Sequence, residues 1–289
     1  MPFPADSLGF RLKSHESDLS VRRVLAYAAG LGATSPVWLN DAKNGGLLAM
    51  PFQCVSPEWP VLVSLRQGLT DVLTPSEASR GVHAVQDSTF HRPLRAGMQL
   101  TTDGQLVVVR PIRAGVLTVC RLVTRDKADA EPVVTTWTSS IYRDVRLQGE
   151  AGAIAEPPAL EPVDTQPPGP GAVTTTIHIP RAMSHVYSEC ADIWNPIHTE
   201  RLVALSAGLP DIILHGTASW ALAGLTILGH YADDNAAALK RITGRFTGMI
   251  IPGEDITIRH DRSPTDAIRF EVRNGAGAPA ISQGIVWLH

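Results

Sequence analysis

Residues 187–216 read YSECADIWNPIHTERLVALSAGLPDIILHG, and the organisation of the whole chain follows from that segment. Asp192, Asn195 and His198 crowd around Pro196, which prevents a helix from running through them. A short helix is predicted next, with Thr199 as N-cap, Leu202, Val203 and Ser206 on one face, and Gly208 at C′. Pro210 stops it. The apolar run Ile212-Ile213-Leu214 then leads into His215-Gly216, where a second helical pattern, GTASWALAGLTILG, begins. The segment thus offers an acid/base pair, Asp192 and His198, on an irregular overhang beside a glycine that starts a buried helix. That combination suits chemistry on a carbonyl compound. A helix N-terminus has free N–H groups for a developing oxyanion, and the acid/base pair handles protons and water. Asn195, an amide that does not titrate, is suited to holding a water or the overhang backbone.

The spacing of Asn195-Pro196-Ile197-His198, Gly208-Leu209-Pro210 and Ile212 to Gly216 resembles the hydratase motif of MaoC-like (R)-specific enoyl-CoA hydratases and 3-hydroxyacyl dehydratases. The resemblance implies a hot-dog fold, in which a sheet wraps around one long central helix. It also implies that His198 acts as the base and that the Gly216 N–H meets a thioester carbonyl, with His215 beside it in a structural role. The family usually places its aspartate two residues before the asparagine. Here that position is Ile193, and the aspartate is one residue earlier, at Asp192. A bulge between Ala191 and Trp194 is expected to return Asp192 to the water site, with Ile193 and Trp194 turned into apolar surroundings.

Outward from this segment the chain reads as two copies of one plan. Ser20 caps a helical pattern that ends at Gly30, and a further helix is expected over residues 61–73. From Gly81, runs rich in β-branched residues alternate with turn signals up to Tyr142, and a similar series begins at Arg241. Phe90 and Gly97 recur as Phe246 and Gly253, Leu100-Thr101 as Ile256-Thr257, and Glu131 to Val134 as Ala278 to Ile281. Such self-similarity predicts a duplicated unit. Residues 147–172, dense in Pro, Gly and Glu, read as a semi-extended linker. The expected organisation is an α+β double hot-dog, with a degenerate unit over 1–146, the linker 147–172, and a motif-bearing unit over 173–289. The first copy lacks both N-P-x-H and His-Gly, so its expected task is to cover the second copy's sheet edge and shape an acyl tunnel.

Bulk composition limits the alternatives. With 289 residues, 44% hydrophobic, 18% charged and a net charge of −3, the chain offers no basic surface for nucleic acid and no polybasic membrane patch. Its longest apolar stretch, residues 220–228, is too short to span a bilayer. Three scattered cysteines argue against a disulfide framework or a zinc site, and for a reducing, cytoplasmic setting. His178, His185, His230 and His260 lack ligand spacing, and no P-loop, G-x-S-x-G or H-E-x-x-H occurs. Arg245, Arg259 and Arg262 are candidates for CoA phosphates. The expectation is therefore a hydro-lyase acting on a 2-enoyl or 3-hydroxyacyl thioester of CoA or an acyl carrier. It would need no metal or redox cofactor and is compatible with a homodimer. A hot-dog thioesterase, or a thioester-binding protein without hydratase activity, would use the same pocket.

Overall fold

A computed structural model describes residues 2–42, 45–69, 73–78, 80–159 and 166–289. Period-2 burial along the β-branched runs builds ten principal strands. The first half supplies β1 (His15–Asp18), β2 (Gly81–Phe90), β3 (Gln99–Ile112), β4 (Gly115–Asp126) and β5 (Pro132–Arg143). The second supplies β6 (Val173–His178), β7 (Leu239–Phe246), β8 (Asp255–Arg262), β9 (Ile268–Arg273) and β10 (Pro279–Leu288). They lie in one antiparallel sheet in the order β1-β3-β4-β5-β2-β7-β10-β9-β8-β6. Read inward from its outer edge, each half follows the same topology. The halves meet where β2 pairs with β7.

The repeated glycines explain part of this symmetry. Gly97 and Gly253 sit in the left-handed region, at φ 94° and 104°, just before β3 and β8. Each donates its N–H at 2.7 Å to the residue that leaves the outer strand, Leu19 in one copy and Ile179 in the other. A Cβ would be strained at either position, so the same turn recurs because the same backbone geometry does.

Five helices matter to the site: α1 (Val21–Gly30), α2 (Val55–Gly68), α3 (Met183–Ala191), α4 (Arg201–Ser206) and α5 (Gly216–Ala232). Helix α5 is the central helix of the second half, buried from Ala218 to Gly224 and again at Ile227 and Leu228. Its small residues allow close approach. A Cβ on Gly224 would overlap the Phe52 ring, which meets Trp220 edge-on at 5.4 Å between centroids. Helices α1 and α3 pack together so closely that a Cβ on Gly30 would lie 2.6 Å from the Cys190 Cβ. The second helix of the first half lies earlier than sequence periodicity suggests, over Val55–Gly68 rather than 61–73. Pro57 falls in its first turn, where a missing N–H costs least, whereas Pro60 lies inside the helix and removes one of its backbone bonds.

The linker segment is tied down at several points. Leu147–Gln148 pairs with Phe3–Pro4, Gly152–Ala153 pairs with β3, and Glu156 meets Arg110 at 2.7 Å. Arg241 donates to the carbonyls of Pro158 and Ala159, and it forms a bidentate pair with Asp87 (2.8 and 2.6 Å) across the β2–β7 seam. Asp87 is buried and Arg241 is half-buried, so losing Arg241 would leave a buried carboxylate uncompensated. The seam is thus held by a charged clamp as well as by backbone pairing.

Glu58 on α2 is buried in the first half, where it accepts a 2.5 Å hydrogen bond from Thr136 and a 3.3 Å bond from Gln86. Burial pushes its carboxyl up to about 8. A group raised in the folded state contributes stability at low pH that is lost as pH rises through its folded value. The depressed histidines described below act only below their ordinary 6.5, so the window from there to about 8 isolates Glu58. Across it, the wild-type protein should lose unfolding free energy relative to Glu58→Gln. Urea titrations at several pH values measure the difference, and parallel curves for the two proteins would dismiss it.

Candidate active site

Asn195 begins the overhang in extended conformation, and its side chain accepts a long, 3.5 Å bond from the Ile197 N–H. With Pro196 pre-setting the first φ, this turns Pro196–His198 into one 3₁₀ turn. Asn195 therefore shapes the backbone that carries His198. At the following helix α4 the N-cap position falls on Glu200, which makes no side-chain cap bond, rather than on Thr199, whose hydroxyl is buried without a partner. Gly208, with φ 80°, does take the left-handed position after that helix.

His198 is anchored by its Nδ1, 2.8 Å from the Ile213 carbonyl. A carbonyl only accepts, so Nδ1 carries the proton and Nε2 keeps its lone pair. Burial pulls the imidazole down to about 4, with the Arg66 charge adding to the effect, so it is neutral at ordinary pH. Its ring stacks on His215 at 3.8 Å between centroids and 25° between planes. His215 is itself buried, held by Ser188 Oγ at 3.1 Å from Nε2, with the Tyr187 ring 5.1 Å away between centroids. Burial, with the adjacent His198, draws its imidazole down to about 2. It serves as a neutral wall behind His198, and its carbonyl receives the N–H groups of Ala218 and Ser219 at the start of α5.

Helix α5 has no side-chain cap, and among the described residues the Gly216 N–H has no hydrogen-bond partner. Phe246 at the end of β7 packs where a Gly216 Cβ would go, 3.0 Å away. The helix start thus keeps a free N–H because the glycine leaves room for it beside an aromatic wall. A neutral imidazole with a free lone pair and an uncapped helix N-terminus therefore sit side by side, linked through the His198–His215 stack.

The structure does not bring Asp192 into this arrangement. The residue closes α3 in the left-handed conformation (φ 56°, ψ 39°), and its carboxylate meets Arg23 of α1 at 2.8 Å with 68% of the side chain exposed. Ile193 is buried and Trp194 is 57% exposed, so the expected bulge, with both side chains turned inward, does not form. The apolar Ile193 is held inside by its burial and by the bond from its N–H to the Ser188 carbonyl, which leaves Asp192 facing water. Exposed ion pairs of this kind contribute at most about 1 kcal/mol. Asp192→Asn should therefore leave kcat and KM within a few-fold of wild type, and a kcat loss of a hundredfold in steady-state assays would overturn that expectation.

One residue of the first half reaches the site wall without a sequence signal. His83 on β2 packs against Phe246 with ring centroids 4.6 Å apart and planes tilted by 49°, and it is drawn down to about 4 by burial. Of the arginines read as CoA candidates, Arg259 is bound to Glu271 at 2.7 Å and Arg262 to Asp266 at 2.5 Å, within the protein.

Comparison with known proteins matches residues 161–281 to the MaoC like domain and residues 6–136 to the FAS1-like, dehydratase domain region, together most of the chain. The chain belongs to the MaoC-like dehydratase family. This MaoC-like chain is 26% identical over 281 residues to a protein of Dictyostelium discoideum named probable enoyl-CoA hydratase 2, covering 96% of the chain and 94% of that protein. It is 25% identical over 250 residues to the Drosophila melanogaster peroxisomal multifunctional enzyme type 2, covering 83% of the chain but only 41% of that larger enzyme. A MaoC-like dehydratase from Phytophthora capsici shares its double hot-dog architecture, with a TM-score of 0.81 and 19% identity over 99% of this chain and 97% of that one. Among the described residues of the MaoC-like chain, no helix is long and apolar enough to cross a membrane.

Proposed function

We infer that this protein is a hydro-lyase that adds water to a 2-enoyl thioester, or removes it from a 3-hydroxyacyl thioester. The observation that carries the reading is the pairing of a neutral His198, its lone pair free at Nε2, with the open N–H of Gly216 at the start of α5. In the hydration direction, the Gly216 N–H and the positive end of α5 polarise the thioester carbonyl. His198 Nε2 takes a proton from water as the water oxygen bonds to C3. The C2=C3 electron pair shifts toward the carbonyl, and the proton on His198 is then returned to C2, which restores the neutral imidazole. The thioester itself delocalises the developing charge, so the step calls for no metal or redox cofactor. CoA or an acyl carrier supplies the thiol. Asn195 sets the turn that aims His198.

Names of the relatives, an enoyl-CoA hydratase and MaoC-like dehydratases, support this chemistry. A reducing cytoplasm suits the three free thiols, Cys54, Cys120 and Cys190. One chain completes the paired sheet, so a homodimer is part of this reading without being required by the site. The test is an assay with crotonyl-CoA, following loss of the enoyl absorbance and release of free thiol together. Absorbance loss without thiol supports the hydro-lyase. Thiol release at the same rate as absorbance loss would replace it with a thioesterase on the same fold.

A further inference from the structure

Ser184 lies in the first turn of α3 and is fully buried. A serine in a helix usually turns its hydroxyl to a backbone group nearby in sequence. Ser184 instead donates across the fold, at 3.2 Å, to the carbonyl of Ile213. That same carbonyl accepts the Nδ1–H of His198 at 2.8 Å. A carbonyl oxygen has two lone pairs, so it serves both donors at once. Alanine would favour the helix more, so the bond made by the hydroxyl is what sets this position apart.

The Ile213 carbonyl depends on such support. It sits in the irregular stretch 207–215 between α4 and α5, where no helix or strand sets the direction of a peptide plane. The Ile213 N–H makes only a long, 3.5 Å bond to the Ile197 carbonyl. The peptide unit that carries the Ile213 oxygen is held at its other edge by the Leu214 N–H, which donates at 2.8 Å to the Ile250 carbonyl. Ser184 supplies the restraint at the oxygen itself. Helix α3 is a firm base for it, being packed against α1 where Gly30 meets Cys190. Ser188, one turn further on, shares that face, is buried as well, and holds His215. One face of α3 therefore holds both rings of the His198–His215 stack, the first through a carbonyl and the second directly.

We propose that Ser184 is a positioning residue for the reaction: its hydroxyl fixes the Ile213 carbonyl, which in turn sets the tautomer of His198 and the aim of its Nε2. This rests on the hydro-lyase reading for the role of His198, whereas the tautomer can be read without turnover. In Ser184→Ala the carbonyl keeps His198 as a partner, so no buried group is orphaned and the fold should hold. The imidazole loses its fixed direction, and small errors of aim are costly in a proton transfer. Nitrogen-15 NMR of the free protein, with the His198 signals assigned by their loss in His198→Ala, should show Nδ1 protonated and Nε2 bare in the wild type. Ser184→Ala should show a mixture of tautomers. With crotonyl-CoA, Ser184→Ala should lower kcat roughly three- to thirtyfold, with KM and melting temperature nearly unchanged. In a His198→Ala background the same change should cost nothing further, since no ring remains to be aimed. A structural role would instead lower the melting temperature, or slow the His198→Ala enzyme by the same factor, and either result overturns the proposal. So does an Nε2-protonated His198 in the wild type, or a wild-type tautomer or kcat in Ser184→Ala. Failure of the wild type to hydrate any 2-enoyl thioester would count against the hydro-lyase, while the NMR comparison would still decide whether Ser184 sets His198.

Discussion

His198→Ala is expected to leave a folded protein whose kcat for crotonyl-CoA is reduced by about a hundredfold to ten-thousandfold, the usual contribution of a positioned acid/base group. The fold should tolerate the change because His198 lies in a partly open 3₁₀ turn, and the ring behind it, His215, keeps its own bond to Ser188. KM should move little, since the imidazole acts on water and its main interaction develops in the transition state. The pH profile adds a second readout. Burial holds His198 at about 4, and the base must be neutral to accept a proton. The acid limb of kcat/KM should therefore appear only as pH falls through about 4, well below the ordinary histidine range. Activity of His198→Ala within a few-fold of wild type would remove this residue from the reaction.

The second large effect is expected at Gly216. A side chain there would sit 3.0 Å from two carbons of the Phe246 ring and would occupy the space through which the N–H is reached. Loss of one oxyanion donor typically costs about a hundredfold to a thousandfold in kcat. Gly216→Val should reach that range while α5, anchored by Trp220 and its small-residue packing, stays formed. A steric origin predicts a graded series, with Gly216→Ala milder and partly rescued by Phe246→Leu. Steady-state kinetics on the three variants, with circular dichroism to establish folding, test the series. If Gly216→Val turned over like wild type, the helix N-terminus would not be the carbonyl site.

Much of the fold was legible along the chain because it depends on local constraints. Proline at 196 and 210, the run of small residues after Gly216, and the turns at Gly97 and Gly253 each leave a mark in the residues themselves. The duplicated strand order was legible because both copies solve the same steric problem at the same spacing. Asp192 shows where such reading fails. Its nearness to Asn195 in sequence suggested recruitment, but one residue of offset at the end of α3 turned the carboxylate outward toward Arg23, 169 positions earlier. Burying Ile193 decided the matter, and that preference can be weighed only once the interior is known.

By itself the sequence determined the two-copy sheet, the buried glycine-led helix and the overhang that presents His198, because periodicity, proline and glycine act over a few residues. Tertiary structure alone decided the neutral state and tautomer of His198, which come from burial and from the Ile213 carbonyl. It also decided that Asp192 is a surface residue and that His83 of the first half packs on Phe246, beside the start of α5. The last of these depends on pairing β2 with β7, a seam that joins residues more than a hundred positions apart. No local pattern records it, because the free energy that selects it arises only when the two halves close.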